Sequence, residues 1–164
     1  MRTWLRLVLV TMAVGGGFTG ITIAVQLLFG GQEQLAHFVF LALYTFVTVS
    51  GLAFVHDPRR TRPLLVAIAL QIPRFSSSFV AYQFAAGFRI SVGMIGGHFN
   101  GGAFFGSEWQ FDLFQDLPWG AGVNLIALAM FVLLWQSTKR LLPASVPADS
   151  ASQIVSGGEG ARRE

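Results

Sequence analysis

The chain has 164 residues, enough for one domain. It is 53% hydrophobic and only 12% charged, with a mean hydropathy of +0.59, whereas an ordinary soluble domain carries roughly 25% charge. That balance excludes a soluble globular protein, a disordered chain and a coiled coil. The absence of cysteine excludes disulfides, thiolate metal sites and a Cys nucleophile.

The first uncharged run covers residues 7–32. At ~1.5 Å per residue it extends about 39 Å, more than a hydrocarbon core of roughly 30 Å requires. A span over about 7–30 is predicted. Arg2 and Arg6 resemble the start of a signal peptide, but the run is too long and lacks an A-x-A-like cleavage site. Within it Ala13, Gly16, Gly17, Gly20 and Ala24 share one helix face, with Gly16 and Gly20 forming a GxxxG. Such a face lets helices approach closely, either inside a bundle or across a homo-oligomer seam.

A second span is predicted over 35–56 and a third over 63–88. The third holds Arg74, about 17 Å along an ideal helix from Pro63 and so near the bilayer centre. An arginine there costs roughly 2.5–3.5 kcal/mol on insertion scales. Its neighbours Gln71, Ser76, Ser77 and Ser78 are polar, and Pro73 should kink the helix. These residues form the candidate site for an anion or lipid head group. In the competing reading 63–73 lies along the cytoplasmic surface and Arg74 snorkels to phosphates.

From Phe88 the pattern changes period. Phe88, Ile90, Val92 and Met94 alternate with Arg89, Ser91 and Gly93, and Trp109, Phe111 and Leu113 alternate with Glu108, Gln110 and Asp112. Period two signifies strands. Asn100-Gly101 between them suits a two-residue type I′ turn, predicting a hairpin over about 88–113 with Arg89 opposite Asp112. The open edges of that hairpin could accept a partner's strand.

The last span is predicted over 117–138, with Asp116 as its cap and the Asn124 amide available to a neighbouring helix. Residues 143–164 are rich in Pro, Ser, Gly and charge, and read as a disordered cytoplasmic tail. In this four-span arrangement nine of the eleven basic residues fall on one side. The positive-inside rule then puts both termini in the cytoplasm. Ten arginines to one lysine suit a bacterial plasma (inner) membrane.

The expected fold is therefore an all-α, four-transmembrane-helix bundle with an extracytoplasmic β-hairpin. The expected function is that of a non-enzymatic accessory or interaction protein whose partners are membrane lipid, other membrane proteins or further copies of itself, without nucleic acid or cofactor. A small transporter or lipid- or anion-handling protein using Arg74 is the first alternative. An outer-face metal-dependent enzyme is the second, although His37, His56 and His98 have no ligand spacing and no Walker loop, GxGxxG or HExxH occurs.

Overall fold

In a computed structural model, which describes residues 3–30 and 35–139, the chain is mixed rather than all-α. Four helices, α1 (Thr3–Phe29), α2 (Leu35–His56), α3 (Thr61–Ala69) and α4 (Leu125–Lys139), accompany a six-stranded antiparallel sheet. Its strands are β1 (Pro73–Ser76), β2 (Val80–Ala85), β3 (Phe88–Ile95), β4 (His98–Phe105), β5 (Glu108–Leu113) and β6 (Gly120–Asn124). The expectation of a four-helix, four-span bundle is thereby overturned. Among the described residues only α1 and α2, 27 and 22 residues long, are long and apolar enough to cross a membrane. The predicted tail, 143–164, lies outside the described residues.

The third predicted span dissolves after Leu70. Pro73 has no N–H to continue the helix, and the chain turns over Gln71 and Ile72 into β1. Arg74 therefore sits on a strand, not at the middle of a helix. The fourth predicted span likewise begins as a strand, β6, and becomes helical only at Leu125. Apolar content alone could not separate these states, because a short apolar run suits either a buried strand or a helix.

α1 and α2 run antiparallel and meet at small residues. A Cβ placed on Gly20 would lie 2.2 Å from the Tyr44 ring, and one on Gly17 would lie 2.3 Å from Thr48 Oγ1. Arg6 Nη2 donates to the Val55 carbonyl at 2.7 Å, so the start of α1 lies beside the end of α2. Thr138 Oγ1 donates to Thr61 Oγ1 at 3.4 Å, bringing the end of α4 to the start of α3.

The sheet order is β4-β3-β6-β1-β2-β5. One register joins Val80–Leu113 to Phe88–Phe105 and Ile95–His98, so β2 with β3 and β5 with β4 are the two arms of one long hairpin. Its turn is Gly96-Gly97, both at positive φ (59° and 80°), as a type I′ turn requires. The expected turn at Asn100-Gly101 is incorrect; both residues lie inside β4. Consequently Arg89 stands opposite Phe104, not Asp112.

Each arm bends midway at a glycine in the left-handed region, Gly87 (φ 97°) and Gly106 (φ 128°). The two exchange hydrogen bonds of 3.0 and 2.6 Å. The bend brings β2 and β3 together at one corner while β1 and β6 fill the interval between them, which rolls the sheet. That corner docks on α1, where the Ser107 hydroxyl donates to the Gly16 carbonyl. α1 loosens into a π turn over Thr11–Gly16 at this place.

Asn124 ends β6 and caps α4. Its Oδ1 accepts from Ile126 N at 3.2 Å and Ala127 N at 3.4 Å, a role expected of Asp116 and not performed by it. Replacing Asn124 with alanine should cost about 1 kcal/mol in thermal unfolding, and with aspartate much less. Equal losses would contradict the cap.

Candidate functional site

The registers divide the sheet's side chains cleanly. Outward point Phe75 from β1, Tyr82 and Phe84 from β2, and Ile90, Val92 and Met94 from β3. Phe99 and Phe105 from β4, Trp109 and Phe111 from β5 and Val123 from β6 complete that face. Its polar side-chain atoms are the Trp109 indole nitrogen and the Tyr82 hydroxyl, which donates to the Leu70 carbonyl at 2.7 Å. Inward point Arg74, Gln83, Arg89, Ser91, Asn100 and Glu108, with only Ile95 and Phe104 as large apolar side chains.

One row of paired residues crosses the entire sheet: Gln110, Gln83, Arg74, Gly122, Gly93, Asn100. On a flat sheet Arg74 and Asn100 would be three strand spacings, roughly 14 Å, apart. Arg74 Nη1 nevertheless donates to Asn100 Oδ1 at 3.2 Å. The sheet is therefore concave toward its polar face, and the intervening glycines leave room for the arginine. The space among Arg74, Asn100, Gly93 and Gly122 is about 10 Å³.

Deeper, at the corner, Arg89 Nη1 lies 2.8 Å from Glu108 Oε2, and its side chain is 11% exposed. Gln83 Nε2 donates to Glu108 Oε1 at 2.6 Å. Arg89 also faces the Phe104 ring at 5.9 Å. Gln83 Oε1, Arg89 Nε and Ser91 Oγ are buried and have no protein hydrogen-bond partner. Burial first, and then the neighbouring Arg89 charge, push the Arg74 pKa down from its usual value, while Glu108 opposes them. The polar face thus carries two guanidinium groups, Arg74 and Arg89, against two carboxylates, Glu108 at the corner and Asp112 nearer the end of β5.

Arg74 and Asn100 of the sequence-derived candidates meet here, together with Arg89. The others are elsewhere. Gln71 is 6% exposed and fully engaged, donating to the Ala67 carbonyl at 3.0 Å and accepting from Ala86 N at 2.9 Å, which ties α3 to the corner. Ser76 donates to the Pro118 carbonyl at 2.9 Å, Ser77 shapes the β1–β2 turn through Val80, and Ser78 is exposed. Gly101 is exposed on β4, and Asp112 accepts from Gln110 and Gln115. Gly16 packs on the corner and Gly20 on Tyr44.

Gln83, Ser91 and Glu108 were not anticipated as site residues. Ser91 and Glu108 stand in the alternating runs, and Val80–Ala85 alternates too, so period two was their only signal. Among the described residues no three His, Asp or Glu side chains form a metal-binding group. His37 is buried with its ring edge-on to Trp109 at 5.1 Å. No protein-family model, curated protein or solved structure matches the chain.

Proposed function

We propose that this chain is a non-enzymatic accessory membrane protein, anchored by α1 and α2, that holds a small anionic group in the polar lumen of its rolled sheet. One observation carries the reading. Buried inward donors, among them Arg89 Nε and Ser91 Oγ, have no protein hydrogen-bond partner. Such donors are costly when unpaired and strong when they meet an anion. Arg74 stands at the mouth, where a phosphate, sulfate or carboxylate oxygen replaces Asn100 Oδ1 on its guanidinium.

The test uses the full chain in detergent or nanodiscs, titrated calorimetrically with inorganic phosphate, sulfate and glycerol phosphate. At least one should bind saturably. Arg74→Gln should weaken it about tenfold or more, as loss of a charge-assisted hydrogen bond of roughly 1.5–3 kcal/mol implies. Asn100→Ala removes the competing acceptor and should tighten binding. No saturable binding by the wild type, or equal affinity in the Arg74 variant, refutes the reading.

A further inference from the structure

We infer that the outer face of the rolled sheet lies in the hydrocarbon of the bilayer, beside α1 and α2, with lipid acyl chains as its occupant. This rests on the anchoring role proposed for the two helices. The first support is depth. The sheet corner meets α1 at Gly16, where an added Cβ would lie 2.2 Å from Gly87 N. Gly16 is thirteen residues from each end of Thr3–Phe29, or about 20 Å along the axis. If α1 crosses a bilayer, its midpoint is at mid-depth, and the corner is held there with it. α2 agrees, because the Tyr44 hydroxyl, from the middle of that helix, donates to the Ala85 carbonyl at 3.3 Å.

The second support is the sense of the sheet. A rolled sheet in water buries apolar side chains inside and shows polar ones outside. Here the order is reversed, as in sheets that face lipid. The outward face has no charged side chain. α2 covers part of it, where Phe40 stacks on Trp109 at 4.6 Å. Elsewhere it is open, with Met94 58%, Phe99 77% and Phe105 85% exposed. A groove of about 760 Å³ between Val92, Met94, Phe99, Trp119 and Val123 belongs to this open part. Exposed apolar surface of this extent marks an interaction site, and α1 is apolar and exposed as well at Phe18, 64% exposed.

Because the chain has no cysteine, single cysteines report without background. Phe18→Cys, Met94→Cys and Phe99→Cys replace residues that are more than half exposed, which spares the packing. Each full-length variant is labelled with bimane in phosphatidylcholine–phosphatidylglycerol vesicles containing acyl-chain nitroxide lipid. All three should be quenched at least twofold more than in vesicles bearing a headgroup nitroxide. Quenching at 18 but not at 94 and 99 would place the sheet in water and overturn this inference while leaving the anchor intact. No quenching at 18 would remove the anchoring reading and this inference together.

Discussion

Arg89→Leu should destabilise the protein by about 3 kcal/mol in denaturant unfolding, while the double variant Arg89→Leu/Glu108→Leu should recover most of that loss. The cost arises from what is left behind. Glu108 loses the guanidinium 2.8 Å away and retains only the Gln83 amide. Breaking a buried pair in this way costs roughly 3–5 kcal/mol, whereas replacing both members by apolar groups is often neutral. The lower end applies here, since the Glu108 side chain keeps about a third of its exposure and Arg74 supplies a second, more distant cation. A single-variant loss below about 1 kcal/mol, or no recovery in the double variant, would show that this pair does not hold the corner.

Gly16→Ala and Gly15→Ala, one residue apart, should shift stability in opposite directions. At Gly15 nothing lies within 4 Å of a new Cβ, so alanine adds helix propensity of about 0.5–1 kcal/mol. At Gly16 the new Cβ meets Gly87 N at 2.2 Å and the Ala86 carbonyl carbon at 2.5 Å. Those are backbone atoms of a corner fixed by the Gly87–Gly106 hydrogen bonds, and they have no rotamer with which to yield. Overpacking typically costs 1–3 kcal/mol, and about 3 kcal/mol is expected here. Thermal unfolding of both variants in one detergent decides it; equal effects would mean that the sheet does not rest on α1.

Much of the sheet's inward and outward pattern was legible in the sequence. The alternation around Arg89 and Glu108 assigned the correct faces, because parity along a strand does not depend on where the hairpin turns. Register does depend on it. Asn100-Gly101 and Gly96-Gly97 both satisfy the turn, and Asn-Gly is the stronger local signal. The structure uses the di-glycine, which frees Asn100 to meet Arg74 across the curl. That contact joins residues 26 apart through three intervening strand boundaries, and no local pattern encodes it.

The helical expectations failed where one apolar run changes conformation partway. Thr61–Ala69 gives way to strands inside one predicted span, and the change is marked by Gln71, Pro73, Arg74 and the three serines that follow Phe75. Gly120 and Gly122 face inward from β6, where the row crossing Arg74 leaves no space for a side chain. Asn124 was expected to offer its amide to a neighbouring helix; its oxygen instead accepts from the first amides of its own helix.

β6 is the last strand among the described residues, yet it lies between β1 and β3 near the middle of the sheet. While the ribosome is still making residues 77–119, β1 and β3 each present an edge with nothing to pair with. The lumen closes only when residues 120–124 insert between them, bringing Phe75 beside Ala121 and Met94 beside the same residue from the other side. Nascent chains stalled before that point carry two bare edges, the form most prone to pair with the wrong strand. Correct pairing of the sheet therefore hinges on the arrival of residues 120–124 more than on the two long helices made before them.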